Sequence, residues 1–375
     1  MYKISLYSIL GTYLFLSASQ RVLKLDVSSM SLSLSDLLLL YLVLHVSIKV
    51  TYTRIFLFFT CFFILATFGF FSNHYPLNGF FSLSLKIYLG IALITHYEHV
   101  RPKRLDRVIL TLYILLLFSL TIFFGEKSPL TSLGLYNANE SINYLLALWI
   151  LLLIMDYNSV HTSKSLTKYK WPFVCIVIIS IMLISRQGLI ISTFYLMLVI
   201  FCDSKIKKLY RISVLLISII TVYYVLIYLN SLDEYTLRRI AVITTGEITT
   251  RSDLKRFDLV MFGINGFWQY PFGHGLQSFV RDNPSGYVAH NFYVTVLYEF
   301  GILGLLLLVW FFTKLIWVMR NSLLRNNDTL GINILIFTFC IQLIFIGALG
   351  KAGFFVVFPW IFCYSRLVQR VEMRN

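Results

Sequence analysis

The sequence predicts an all-α polytopic membrane protein of about twelve transmembrane helices, with one large external loop that contains an amphipathic helix. Three observations lead there. Of 375 residues, 58% are apolar and only 13% charged, and the mean hydropathy is +0.78, far from the composition of soluble domains. Apolar runs recur along the whole chain, several near the ~18 residues that a spanning helix needs. The basic residues then gather in alternate loops, the signature of cytoplasmic connections.

Reading apolar runs between polar breaks places helices in 4–19, 33–48, 54–72, 79–96, 107–124, 142–156, 170–185, 187–202, 211–230, 291–319, 330–348 and 351–366. One set of alternate loops holds twenty of the 32 basic residues, among them Arg101, Lys103, Arg104, Arg107, Lys205, Lys207, Lys208 and Arg211. The other set holds eleven, six of them in one long loop where length weakens the rule. Both termini are therefore expected in the cytoplasm. The first apolar run shows no small-residue cleavage site and is read as a retained helix. Lys86 lies inside the fourth span, where snorkelling toward the outer interface is the simpler reading.

The net charge of +15 follows mostly from this loop asymmetry, so it does not point to nucleic acid. The five cysteines, Cys61, Cys175, Cys202, Cys340 and Cys363, sit in or beside apolar runs without ligand spacing. Neither a disulfide nor a metal site is expected. No repeat and no linker-like stretch divides the chain, so residues 1–375 read as a single integral membrane domain.

Residues 231–289 form the one long connection, a large periplasmic loop between the ninth and tenth spans, with six basic and six acidic residues. Ser252 can cap a helix with Asp253 in its first turn. Leu254, Phe257, Met261, Ile264 and Trp268 then recur at spacings of three and four, one apolar stripe of an amphipathic helix lying on the membrane or on the helix bundle. That helix should stop at Tyr270-Pro271, before the Phe272-Gly273-His274-Gly275 turn.

Several polar residues stand out on the outer side. Ser185-Arg186-Gln187-Gly188 separates two short apolar stretches, which puts a guanidinium at the outer end of two spans. An arginine there faces a wet cavity, an anionic ligand or a lipid phosphate, and its donor fork suits phosphate. Arg256 lies about 120° from the apolar stripe, with Lys255 and Arg251 nearby; a solvated polar face accounts for it equally well. His290-Asn291 stands where the loop re-enters the membrane, as a base near neutral pH or as a polar anchor. Glu299, ~13 Å further along a continuous helix, must pair, stay protonated or line a wet pocket. There is no GxSxG, HExxH, Walker loop or Rossmann fingerprint, so neither ATP nor NAD is expected as cofactor. Fixed cations with one base would suit transfer from a diphosphate-linked lipid donor.

These residues resemble the bacterial O-antigen polymerase and O-antigen ligase superfamily of polytopic membrane glycosyltransferases. Ile184-Ser185-Arg186-Gln187-Gly188 resembles the family's Ser/Thr-Arg segment at the outer end of a helix pair. Arg256, Pro271 and Gly273-His274-Gly275 resemble its external-loop pattern. His290-Asn291, nine residues and Gly301-Ile302-Leu303-Gly304, with Glu299 between, resemble its most specific signature. The specific similarity covers about residues 134–310.

The resemblance implies an inner-membrane enzyme acting at the periplasmic face on undecaprenyl-diphosphate-linked glycans, without nucleotide sugar, metal or cofactor. It makes Arg186 and Arg256 the diphosphate ligands and His290 the group that activates or orients the acceptor hydroxyl. Asn291 and Glu299 are expected to bind substrate, and Arg239 and Arg251 compete with Arg256 for the second diphosphate contact. Implied partners are the lipid-linked glycan, the bilayer and a chain-length regulator. The motifs leave open whether the chain polymerises repeat units or ligates a finished chain to lipid A–core. A lipid-linked oligosaccharide flippase is the reading from another class.

Overall fold

The computed structural model describes residues 5–19, 24–27, 30–45, 77–97, 103–124, 138–159, 170–182, 186–202, 251–276, 278–287, 289, 291–324, 330–343, 356–361 and 363. The expected spans at 54–72 and 211–230 lie outside them. The described elements are α1 (Leu6–Ala18), β1 (Lys24–Val27), β2 (Met30–Ser33), α2 (Leu34–His45), α3 (Leu77–His96), α4 (Arg104–Phe124) and α5 (Ala138–Ser159). They continue with α6 (Lys170–Met182), α7 (Arg186–Cys202), α8 (Arg251–Gln269), α9 (Ser278–Asp282), α10 (Phe292–Leu324) and α11 (Leu330–Gln342).

Among the described residues the helical reading holds except at two places, the stretch before α2 and a break inside α10. Residues 24–33 form a small antiparallel hairpin, Val27 opposite Met30 and Lys24 opposite Ser33, where only a loop and the start of a helix were expected. The Ser-rich alternation in Met30-Ser31-Leu32-Ser33 has a period of two, which suits a strand and was absorbed into the following apolar run.

Among the described residues, two helices are long and apolar enough to cross a membrane, Arg104–Phe124 and Phe292–Asn321. Both expose apolar side chains: Leu112, Leu115 and Phe123 on α4, and Leu306, Val309 and Ile316 on α10. In a membrane protein such faces meet lipid rather than water. The opposite faces enter one large apolar core with α1, α2, α3, α5, α6, α7 and α11, sealed by Trp360 and Phe358, the latter stacked on Phe311 at 3.9 Å.

Local chemistry fixes how these helices start and pair. The Ser5 hydroxyl caps α1 by accepting from the Tyr7 amide at 3.2 Å. Asp106 is buried at the start of α4, where its carboxylate accepts from the Lys103 amide at 2.7 Å and from the Ser8 hydroxyl at 2.5 Å. Ser8 faces Asp106 and Thr12 faces Tyr113, so α1 and α4 run parallel, as two spans that both start inside should. Arg107 reaches across to Asp156 with its Nε at 2.9 Å, pairing the start of α4 with the end of α5 as in an antiparallel hairpin. Near the C-terminus, the Tyr97 hydroxyl donates to the Val356 carbonyl at 2.7 Å and the Cys363 thiol to the Ile94 carbonyl at 3.0 Å. That register sets residues 356–363 against the direction of α3, a sense that an unbroken alternation of twelve spans does not give.

A second, separate apolar cluster holds α8, α9 and the first turns of α10: Leu259, Phe279, Ala289, Val294 and Tyr298, with Val260 and Phe262 packed on it. This unit carries most of the candidate site.

Candidate functional site

The element that organises the site is a break in α10. Gly301 has φ 57° and ψ −140°, a conformation closed to residues with a Cβ, so the helix stops at Phe300 and restarts at Ile302. In a straight helix, Val296 and Gly304 lie ~12 Å apart along the axis. Here a Cβ on Gly304 would stand 2.7 Å from the Val296 carbonyl oxygen, so the chain folds back sharply between the two pieces. Residues 302–324 alone reach on the order of 34 Å, enough to span. The continuous span expected over 291–319 is therefore replaced by a short helix packed on α8, followed by a separate spanning helix.

The break is held open by the turn that follows α8. The His274 amide donates to the Tyr298 carbonyl at 3.0 Å, the Gly275 amide to the Glu299 carbonyl at 2.9 Å, and the Ile302 amide to the Pro271 carbonyl at 2.6 Å. These are the backbone groups that a broken helix leaves without intrahelical partners. The two glycine motifs of the sequence thus meet each other. A Cβ on Gly273, whose φ is 90°, would fall 2.5 Å from the Glu299 carbonyl oxygen, and one on Gly301 would fall 2.1 Å from that of Pro271.

The helix α8 runs from Arg251 to Gln269, one residue ahead of the expected Ser252 cap and ending where Tyr270-Pro271 predicted. Its orientation corrects the expectation that the stripe could rest on the bundle. Phe257 (52% exposed), Met261 and Trp268 (73%) face outward, and Ile264 is half-buried. The packed face is the opposite one, Leu259, Gly263 and Gly266. A Cβ on Gly263 would meet Val294 Cγ1 at 2.3 Å, and one on Gly266 would meet Tyr298 Cε2 at 2.3 Å, so these glycines let α8 and α10 touch closely. Counting apolar side chains passes over a face whose close approach depends on two glycines, with Leu259 and Phe262 beside them.

Arg256 is exposed on α8 beside Lys255, whose ammonium stands 5.6 Å over the Tyr287 ring. Arg251 opens the same helix, two turns or less from Arg256; its side chain, and Arg239 and His290 entirely, lie outside the described residues. Asn291, next to His290, is the cap of α10: its Oδ1 accepts from the Val294 amide at 3.1 Å and its carbonyl from the Thr295 amide and hydroxyl at 3.1 and 3.0 Å. One lone pair of its carboxamide oxygen is committed to the helix, so a sugar contact would use the Nδ2 donors or the remaining lone pair. Glu299 is buried, on the turn just before the break and not deep along a continuous helix.

Sequence reasoning passed over a polar cluster beside Glu299. The His274 ring stacks flat on Tyr298, centroids 4.0 Å apart and planes within 1°, with Tyr270 edge-on at 4.8 Å. The Tyr298 hydroxyl donates to Asp282 Oδ2 at 3.1 Å, the same oxygen that lies 3.9 Å from His274 Nδ1. Arg281 Nε donates to Asp282 Oδ1 at 2.7 Å, and that carboxylate raises the Arg281 pKa further. No spacing rule brings positions 274, 282 and 298 together; the signal was the histidine inside the Gly-x-Gly turn.

Arg186 opens α7, with its side chain outside the described residues. Two residues on, a Cβ on Gly188 would stand 2.0 Å from Ser180 Oγ and 2.8 Å from Ile142 Cδ1, so the start of α7 is clamped between the end of α6 and the start of α5. Beside that clamp Asn143 is fully buried, and among the described residues neither its amide oxygen nor its nitrogen has a hydrogen-bond partner. At another helix start, the Tyr293 hydroxyl donates to the Cys340 carbonyl at 2.6 Å, joining the first turn of α10 to the end of α11.

No curated protein matches the sequence. Residues 171–309 match the sequence model of the O-antigen ligase family. The matched stretch begins in α6 and ends eight residues past Gly301, so it contains all three motif segments, the break and the turn that holds it. With its apolar helices, the match makes this a membrane protein, and residues 171–309 are similar to the O-antigen ligase family.

Proposed function

We propose that this protein is an O-antigen or related surface-polysaccharide polymerase, moving the growing glycan from undecaprenyl diphosphate onto the next lipid-linked repeat unit at the periplasmic face. The observation that carries the reading is the pairing of the Pro271–Gly275 turn with the Tyr298–Ile302 break, which packs the Arg256-bearing helix against the helix that starts beside His290. In the alternation read from loop charges, the starts of α5, α7 and α10 and the ends of α6 and α11 share the outer side. The Gly188–Ser180–Ile142 clamp and the Tyr293–Cys340 bond are consistent with that arrangement, which sets Arg186 on the same side.

In this scheme the acceptor hydroxyl attacks the anomeric carbon while the bond from that carbon to the diphosphate oxygen breaks. The leaving undecaprenyl diphosphate takes the electron pair, with Arg186 and Arg256 stabilising its charge. The hydroxyl proton passes to His290. Displacement from the opposite face inverts the anomeric configuration. Arg239 and Arg251 are the alternatives to Arg256 as the second diphosphate ligand. Ligation to lipid A–core uses the same donor chemistry and is the second reading, favoured by the family description that residues 171–309 match.

The test is reconstitution with defined undecaprenyl-diphosphate repeat units in the presence of chelator, with and without lipid A–core, beside His290→Ala. A ladder of lipid-linked chains without lipid A–core is the expected result. Transfer only when lipid A–core is present makes the protein a ligase. Absence of any new glycosidic bond, with translocation intact, turns the reading to a flippase.

A further inference from the structure

We propose that the outward face of α8, together with the elbow that follows it, is seated in the outer headgroup–hydrocarbon boundary of the bilayer. The face consists of Phe257, Met261 and Trp268, and the elbow adds Tyr270 (61% exposed) and Phe272 (84%). It lies opposite the Leu259–Gly263–Gly266 face that packs on α10, so the helix has one side committed to the protein and one apolar side turned away from it.

Continuity with a lipid-facing surface identifies the occupant. The 2.6 Å bond from the Ile302 amide to the Pro271 carbonyl sets the elbow at the first residue of the spanning piece of α10. From there that piece presents Ile302, Leu303, Leu306 and Val309 outward, the apolar face that meets hydrocarbon. The aromatic elbow is therefore at the rim of the lipid-facing surface. Tryptophan and tyrosine settle at that depth, where an apolar ring and a polar edge are both satisfied. Exposed Lys255, Arg256 and Asp258 flank the stripe, as on helices that lie in the interface with their apolar face sunk about 5–10 Å.

This goes beyond the transfer reaction and bears on it in one respect, which rests on that reading. Arg256 neighbours Phe257 on the first turns of α8, so seating the stripe puts the guanidinium at headgroup depth. The diphosphate of a lipid-linked donor sits at that depth, so the donor would meet Arg256 without leaving the membrane plane.

Nitroxide labels test the seating directly. They are placed at Met261→Cys and Trp268→Cys on the stripe, and at Asp258→Cys and Gln269→Cys on the polar flank, in a background with all five native cysteines replaced by alanine. The protein is reconstituted in phosphatidylethanolamine–phosphatidylglycerol vesicles, and collision with oxygen is compared with collision with a water-soluble nickel chelate. The ratio of oxygen to nickel accessibility should be several-fold higher at 261 and 268 than at 258 and 269. Nickel reaching all four positions equally would overturn the proposal by placing the stripe in water. Exclusion of both relaxants at 261 and 268 would overturn it by showing a protein cover, whether a second copy or another part of the chain. If the cysteine-free background does not fold, quenching by lipids brominated near the glycerol end replaces it: the quenched emission should drop in Trp268→Leu, and unchanged quenching would reject the seating. No donor is present in either measurement, so failure here is separable from failure of the transfer reading.

Discussion

The Ile302 amide donates to the Pro271 carbonyl across a chain reversal at Gly301, and this one bond joins the external unit to the spanning part of α10. Around it, two glycine motifs, at Gly273 and Gly301, act as the halves of one backbone clasp. Their conformations belong to the architecture of the site, and their substitution should read out first as stability.

Gly301→Ala would force a Cβ into a positive-φ position and within 2.1 Å of the Pro271 oxygen. Backbone strain alone costs about 1–3 kcal/mol, and the clash adds to it. Gly286→Ala shares the positive φ but has nothing within 4 Å, so it should lose only the backbone share, roughly 1–2 kcal/mol. Thermal unfolding in detergent should rank Gly301→Ala well below Gly286→Ala. Equal losses would mean that the clasp contributes nothing.

Asn291 caps α10, which makes its contribution to stability separable from a contribution to substrate binding. Asn291→Ala should cost about 1 kcal/mol, and Asn291→Asp should recover most of it because a carboxylate also accepts from the Val294 amide. If the Nδ2 donors hold a sugar, Asn291→Asp should remain impaired in transfer although its stability returns. Recovery of both would rule out a sugar contact through Nδ2.

For Arg256 the expected outcome is selective. Arg256→Ala should reduce polymer synthesis by about 100-fold with the unfolding profile unchanged, since the side chain is exposed. Arg239→Ala and Arg251→Ala should have much smaller effects at equal protein level. The reverse pattern would move the second diphosphate contact to one of those two.

Asn143 offers a test of the bundle. A buried amide without partners among the described residues is a net cost, and an apolar side chain of similar volume relieves it. Asn143→Leu should raise stability by about 1–2 kcal/mol in detergent. Destabilisation would show that the amide is satisfied in the folded protein.

Much of the fold was legible because hydrocarbon imposes a single strong constraint: every backbone polar group must be satisfied within a helix, so apolar runs and helices coincide. The bounds of α4, α5 and α7 fell within a few residues of the expected ones for that reason, and those of the external α8 did so because of its cap and the proline after it. The hairpin at 24–33 was missed because a two-residue period is a weak signal beside a long apolar run. The motif segments around Arg186, Arg256 and His290 were also legible as candidates, since arginines and a histidine beside apolar spans are costly enough to stand out.

Tertiary structure alone decided how those segments are used. Spacing could show that Gly273 and Gly301 were unusual, but not that each is required by the other's backbone. It could find the stripe on α8, but not that glycine forms the packed face and the stripe turns outward. Nor could it assemble His274, Asp282 and Tyr298, whose contacts depend on α9 and the folded-back turn of α10 arriving at the same place. Local periodicity and composition are carried by neighbouring residues, whereas a helix break and its clasp exist only when two distant backbones meet. The amino-acid sequence thus determined the membrane class, the matched stretch and the candidate residues, and only the tertiary structure packed the Arg256-bearing α8 on the broken α10.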